Sequence, residues 1–249
     1  MCGRFALVQG PQDVADTFGV AEPEGFPPRY NIAPTQPILG VAAGPAREPG
    51  SNQPQRQALL VRWGFIPGWV KDPKQFPLLI NARAETAATK ASFRAAMRHR
   101  RVLIPASGFY EWKGTGRKDA QPYWVRPRKG GVIAFGGLME TYAEPGGAEI
   151  DTAAILTCAA NSAIAHIHER MPVVVHPQHF SRWLDCVRNE PRDVADITRP
   201  VEPDFFEAVP VSSKVNAVAN LGPDLQEPVA ASAEAAAAPP VEQAQLRLL

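Results

Sequence analysis

Val102-Leu103-Ile104-Pro105-Ala106-Ser107-Gly108-Phe109-Tyr110-Glu111-Trp112 carries the strongest strand signal in the chain. It reads as one apolar strand, and it makes the fold sheet-based. The run ends in Phe109-Tyr110-Glu111-Trp112-Lys113, where one carboxylate sits among three aromatic rings. Such a carboxylate loses hydration, which raises its pKa toward the range where it both takes and gives a proton. Glu111 is therefore the leading acid–base candidate. The alternative is an edge glutamate pairing with Lys113 in solvent.

Working outward, Pro122–Arg126, Val132–Tyr142, Ala153–Cys158 and Phe206–Val211 read as further strands downstream. Upstream, Gly3–Val8, Pro37–Val41 and Ala58–Phe65 do the same, and the last two form a hairpin with a long mobile tip over Ala42–Gln57. Leu78-Leu79-Ile80 is a short strand that delivers Asn81-Ala82-Arg83-Ala84-Glu85-Thr86. Helical spacing places Val14, Ala15 and Phe18 together in Pro11–Phe18, and Phe93 with Met97 in Ser92–Arg98. Gln178–Val187 and Pro191–Ile197 are helix-like. A glycine turn is expected at Gly114–Gly116 and a loop at Pro145–Gly147. From Pro228 the chain is alanine- and proline-rich and reads as a disordered tail, so the folded domain spans 1–227 and the tail 228–249.

With 249 residues, 45% hydrophobic and 20% charged, the chain has the composition of a globular protein able to bury a full core. No apolar run reaches the length of a membrane span and no signal peptide is visible, so the sequence reads as cytoplasmic. Cys2, Cys158 and Cys186 are too scattered for a disulfide framework or a zinc ribbon. Lys+Arg 26 against Asp+Glu 25 leaves a net charge of +1, which neither demands nor excludes nucleic acid.

The chain opens Met1-Cys2-Gly3-Arg4, and the small residue after Met1 makes it a substrate for methionine aminopeptidase. Cys2 would then carry a free α-amine beside its thiol. These groups titrate at about 7.7–8.0 and about 8.5, so modest local shifts supply a neutral amine, a thiolate or both. The plain alternative is a small buried hydrophobe. Trp63-Gly64-Phe65-Ile66-Pro67-Gly68-Trp69 is either a core corner or a platform for stacking bases. Asn-x-Arg-x-Glu-Thr at Asn81–Thr86 is either a helix cap or one edge of a site. Arg94, Arg98, Arg100 and Arg101 form a charge run that suits a solvated face as well as a phosphate reader. His166 and His168 are two apart, the wrong spacing for a helical zinc pair, and no metal or other cofactor is expected.

Six motifs together resemble the SRAP family, the SOS-response-associated peptidase domain proteins: MCGRF at the start, RYNIAPTQ from Arg29, RWGFIPGW from Arg62, LINARAET from Leu79, IPASGFYEWK from Ile104 and IHERMPVV from Ile167. The resemblance covers Cys2 to Leu225. It implies a sensor of abasic sites that crosslinks to single-stranded DNA, associated with the nucleoid when bound and acting as a monomer. It also implies Cys2 as nucleophile, Asn81 positioning the sugar and the N-terminus, Glu111 as acid–base group and His168 assisting sugar ring opening. Arg4, Arg83 and Arg170 would grip flanking phosphates, Asn31 and Pro34 would lie beside the lesion, and Trp69 would stack on a base. Trp69-Val70 stands where some bacterial members place two aromatics.

The fold that the resemblance implies is a single α+β domain with a mixed, bifurcated or barrel-like sheet and short peripheral helices; the strand pattern alone does not specify it. Lyase-type Schiff-base chemistry and self-removal of Met1 belong to the same expectation. Two other readings use the same residues. An N-terminal-nucleophile amidohydrolase would attack an amide through the Cys2 thiol, and a passive single-strand binding module would use only the aromatics and arginines.

Overall fold

The computed structural model describes residues 2–45, 55–114, 120–144 and 146–230. Its strands are β1 (Arg4–Leu7), β2 (Arg29–Ile32), β3 (Pro37–Ala43), β4 (Arg56–Trp63), β5 (Asn81–Arg83), β6 (Arg101–Ala106) and β7 (Gly108–Lys113). They continue with β8 (Gln121–Pro127), β9 (Ile133–Ala143), β10 (Glu149–Ala159), β11 (Arg170–Pro172), β12 (Val174–Val175) and β13 (Phe206–Pro210). The helices are short: α1 (Pro11–Phe18), α2 (Ala84–Ala87), α3 (Arg94–His99) and α4 (Phe180–Leu184). The α+β class with a mixed, barrel-like and bifurcated sheet is what the molecule adopts.

Val102–Trp112 is not one strand. It breaks at Ser107 into β6 and β7, which belong to different sheets. The corner is held by Ser107, whose amide donates to the Ala6 carbonyl at 2.7 Å and whose hydroxyl accepts from the Val8 amide at 2.8 Å. Gly108 follows because nothing larger fits: a Cβ there would lie 2.4 Å from the Val125 carbonyl oxygen. A single apolar run thus ties the two sheets together at one tight backbone contact.

β10, β4, β3, β6 and β9 pair in turn, and β9 returns to β10, closing a five-stranded barrel. All its pairs are antiparallel except β4 with β10. The second sheet is antiparallel in the order β13-β8-β7-β1-β2. The barrel wall forks where β10 leaves β9 after Ile155. Arg170–Val175 fills the fork, with β11 on β10 and β12 on β9. Between them Val173 donates to the Leu156 carbonyl and accepts from the Gly136 amide, both at 2.9 Å.

Strand alternation gives the second sheet two different faces. Phe5, Phe109 and Phe206 turn toward the barrel, where Phe5 meets Trp63 edge-on at 5.1 Å and Phe109 meets Phe135 at 6.1 Å. Ala6, Tyr110 and Trp124 turn the other way, under a separate cluster with Val211, Val215 and Leu225. The C-terminal part of the chain therefore covers the outer face of the sheet. α1 buries Val14, Ala15 and Phe18 as its spacing predicts, and Gly19 ends it in a left-handed cap at φ 62.

Several boundaries differ from the sequence reading. Leu79 makes only an isolated bridge to Phe65, and the regular strand begins at Asn81. α3 begins at Arg94, although Phe93 and Met97 are both buried as expected. Gln178–Val187 contains only the turn Pro177–His179 followed by α4, and Pro191–Thr198 is a 3-10 rather than an α-helix. Pro228 pairs with Val211, and Val229 donates to the Pro210 carbonyl at 2.9 Å, so ordered pairing runs past the expected start of the tail. The hairpin tip over 46–54, residues 115–119 beyond Gly114, Pro145 and the tail from 231 lie outside the described residues. Among the described residues, no helix is long and apolar enough to cross a membrane.

Candidate active site

The site forms where the barrel meets the start of the second sheet. On β7, alternation sends Tyr110 and Trp112 to the outer face, where they donate to the Tyr30 carbonyl at 2.8 Å and the Asn216 side-chain oxygen at 2.7 Å. Phe109 and Glu111 consequently face the barrel. The register Arg4↔Tyr110, Phe5↔Phe109 runs the beginning of the chain alongside Glu111. From the barrel side, Asn81 Nδ2 donates to the Cys2 carbonyl at 2.8 Å. Asn81 itself is fixed because the preceding Ile80 carbonyl accepts from both Ile155 N at 3.0 Å and Trp63 Nε1 at 2.9 Å.

Cys2 has no solvent exposure and Glu111 only 2%. Burial disfavours charge. It pushes the Glu111 carboxyl above the usual carboxylate range, opposed by the amino terminus and by His168. Burial also pushes the Cys2 thiol well above its ordinary range, and the Glu111 charge adds to the rise. The thiol is therefore a proton-bearing group here, with a weak contact from Sγ to the Arg4 carbonyl at 3.9 Å.

His168 ends a turn anchored at Asn161, whose carbonyl accepts from Ile164 and Ala165 at 3.1 and 2.9 Å and whose amide donates to the Val201 carbonyl at 3.0 Å. The Arg170 backbone amide donates to His168 Nδ1 at 3.0 Å. A backbone N–H can only donate, so Nδ1 is an acceptor and a neutral His168 carries its proton on Nε2. Arg170 in turn donates through both terminal nitrogens to Glu85, each at 2.8 Å, and to the Thr157 carbonyl at 2.6 Å.

The residues expected to meet DNA divide into two sets. Arg83 is exposed at the end of β5, and Trp69 is 59% exposed with its ring edge-on to Phe76 at 5.5 Å. Val70 is buried, so the available stacking surface in this turn is Trp69. Pro34 is half-buried in a turn whose next residue, Thr35, sits at φ 73, a left-handed conformation that a β-branched residue adopts only under strain. The other set is turned inward. Asn31 is only 2% exposed; its oxygen accepts from Arg4 at 2.7 Å and its amide donates to the carbonyls of Val215, Ala217 and Asn220. Arg4 also donates to the Val215 carbonyl at 2.8 Å. This pair straps the 215–220 segment to the outer face of the sheet.

The structure thus brings Cys2, Asn81, Glu111 and His168 to one seam, with Arg83 and Arg170 on the neighbouring edge. The sequence reading gave no role to Thr157 or the 215–220 segment, and took Glu85 only as part of the Asn81–Thr86 motif. A threonine inside the apolar strand Ala153–Cys158 was a local signal for Thr157, which is fully buried. Nothing local signals the Glu85–Arg170 pairing, which links residues far apart in the chain.

A forked barrel joined to an antiparallel sheet, with Cys2 held in the seam, sets the class of the protein. The family model for SRAP, SOS response associated peptidase, matches residues 1–218, and the chain belongs to that family. It is 37% identical over 230 residues to the abasic site processing protein YoqW of Bacillus subtilis, covering 91% of this chain and 99% of that one. It is 33% identical over 241 residues to the abasic site processing protein YedK of Escherichia coli, covering 92% and 100% of the two chains. A crystal structure of a protein from Bacteroides thetaiotaomicron shares the fold with a TM-score of 0.77 at 19% identity, covering 92% of this chain and 100% of that one.

Proposed function

We propose that this protein processes abasic sites in single-stranded DNA by forming a covalent thiazolidine crosslink through Cys2 once Met1 has been removed. The observation that carries this reading is the bond from Asn81 Nδ2 to the Cys2 carbonyl, which holds the nucleophile beside the buried Glu111. The names of the relatives agree with it.

An abasic deoxyribose is mostly a closed hemiacetal, so it must open before any amine can attack. His168 donates a hydrogen bond from Nε2–H to the ring oxygen, while Glu111 takes the proton of the C1′ hydroxyl and returns it to the departing ring oxygen, giving the C1′ aldehyde. The freed α-amine of Cys2 adds to that carbon, and loss of water gives an imine. The neutral amine, not the ammonium, is the form that attacks. The Cys2 thiol then adds to the imine carbon, its proton passes to the nitrogen, and a five-membered thiazolidine closes. Amine and thiol share one residue, so their effective concentration is very high.

The net change is aldehyde plus aminothiol to thiazolidine plus water. Because burial holds the thiol protonated, the amine acts first. The imine is also where β-elimination would cut the strand, and fast thiol closure suppresses that lyase branch. Arg83 and Trp69 offer a phosphate contact and a stacking surface to the flanking nucleotides.

Two variants separate the amine from the thiol. Cys2→Ser with Met1 cleaved keeps the amine, so borohydride should trap an imine while little stable crosslink forms and nicked strand accumulates. An uncleavable extension ahead of Cys2 keeps the thiol but converts the amine to an amide, and no thiazolidine should appear by mass spectrometry. Stable crosslinking by the extended protein would overturn the proposal, and glutamine hydrolysis by the mature protein would favour the amidohydrolase.

A further inference from the structure

We infer that Glu85 is a positioning residue for His168, acting through Arg170. This inference rests on the ring-opening role proposed for His168. Three contacts carry it in sequence. Glu85, in α2 just past β5, grips both terminal nitrogens of Arg170 at 2.8 Å, a two-point contact that fixes orientation as well as distance. The second nitrogen also donates to the Thr157 carbonyl on β10, so the Arg170 side chain is clamped between α2 and the barrel wall. The Arg170 backbone amide, at the start of β11, donates to His168 Nδ1 at 3.0 Å.

The imidazole has no strong intrinsic preference between its two neutral tautomers; the partner of one nitrogen decides which carries the proton. With Nδ1 held as acceptor, the proton sits on Nε2, the form that can donate to a sugar oxygen. Nδ1 also lies 3.2 Å from the Arg170 carbonyl. A small shift of the Arg170 backbone would let the ring donate there instead and move its proton to Nδ1. The Glu85 grip is what holds Arg170 against that shift.

The clamp also explains the state of the guanidinium. The Arg170 side chain is 11% exposed against 50% for Glu85, so its polar edge faces the protein. The carboxylates acting on Arg170 are Glu85 and Glu169, and Arg83 also acts on Glu85. An arginine engaged in this way contributes more to holding the site than to gripping a phosphate. Glu85 also links the strand that carries Asn81 to the segment that carries His168, so both halves of the site share one anchor.

The test uses the full-length protein with Met1 removed. Glu85→Gln keeps the side-chain shape but loses the charge and the two-acceptor grip; Glu207→Gln, which breaks an ion pair with Arg126 on the second sheet, is the control. Nitrogen-15 NMR of the histidine rings should show the His168 Nε2–H tautomer in the parent and the control, and a mixture of tautomers in Glu85→Gln. Crosslinking to an abasic oligonucleotide at saturating protein should slow about tenfold in Glu85→Gln, a coupling typical of residues in one hydrogen-bond network. In a His168→Ala background the same change should have almost no further effect.

An unchanged His168 tautomer in Glu85→Gln would overturn the inference, as would full multiplication of the two rate effects in the double variant. The NMR arm needs no DNA. If the parent forms no crosslink, the proposed function fails while the tautomer measurement still decides the role of Glu85.

Discussion

Asn81 donates its side-chain amide to the carbonyl of Cys2 across 2.8 Å, so the barrel and the second sheet meet at the second residue of the chain. The Asn81 oxygen is buried and, among the described residues, has no hydrogen-bond partner. An open buried acceptor is costly in a finished core and useful in a site, where an arriving hydroxyl or amine can fill it. Asn81→Ala should therefore slow crosslinking about 10²-fold, the usual penalty for misplacing a reacting group by about an ångström. Affinity for an oligonucleotide carrying a stable abasic analogue should change little. A parent-like crosslinking rate, resolved on denaturing gels, would remove Asn81 from the site.

Glu111 makes a prediction about pH. Its folded-state pKa is raised by burial, so the folded protein holds that proton more readily than the unfolded chain. The resulting stability is fully present below the ordinary glutamate value of about 4.3 and is lost as pH rises through the raised folded value. Glu111→Gln cannot ionise, so its melting temperature should fall less than the parent's between acid and neutral pH. The same variant should crosslink about 10²–10⁴-fold more slowly and lose the rise in rate with pH that a titrating base confers. Parallel melting curves for the two proteins across this range would count against a buried, ionising Glu111.

Arg83 and Arg170 should behave differently despite their shared charge. Arg83 is exposed, and losing one phosphate contact on a single strand reduces the salt slope of binding by about 0.7. Arg83→Ala should show that reduction in fluorescence titrations over a range of salt. Arg170→Ala, whose guanidinium is committed to Glu85 and Thr157, should change the slope less and the crosslinking rate more. Equal changes in slope would mean that Arg170 leaves Glu85 for a phosphate.

Gly108→Ala tests the corner between the sheets. A methyl group 2.4 Å from the Val125 carbonyl cannot be accommodated without moving backbone, because the obstacle is not a flexible side chain. Destabilisation of about 3 kcal/mol is expected from overpacking, measured as a lower denaturant midpoint at constant slope. A midpoint within error of the parent's would show that the corner relaxes freely.

Most strands were legible because burial on one face of a sheet imposes alternation or an apolar run. The break at Ser107 was not legible in the same way, since Val102–Trp112 is apolar enough on both sides to pass for one element. Gly108 was the only local sign, because a lone glycine within a strand pattern marks a close backbone approach. The parallel pairing of β4 with β10 leaves no trace in either segment, as it depends on partners far apart in the chain. At the site, Cys2, Asn81, Glu111 and His168 were each visible through their chemical type and their motifs. Asn31 shows the limit of that kind of reading: an asparagine among apolar residues signals a polar need, but not whether it faces a ligand or, as here, three carbonyls of the same chain.

The fork filled by Arg170–Val175 has a kinetic consequence. Val173 bonds both walls, at Leu156 and Gly136, and His168 lies just upstream of it, so His168 reaches its place only as that segment pairs with both β10 and β9. Closing the longer loop back to β9 is slower than forming the local turn that carries His168. On the mechanism proposed above, a chain that has not yet closed the fork would present the Cys2 aminothiol without His168 beside it, and would react with aldehydes no faster than any peptide beginning with cysteine. On that mechanism, selectivity for an abasic sugar over other aldehydes is a property the chain acquires when the fork closes.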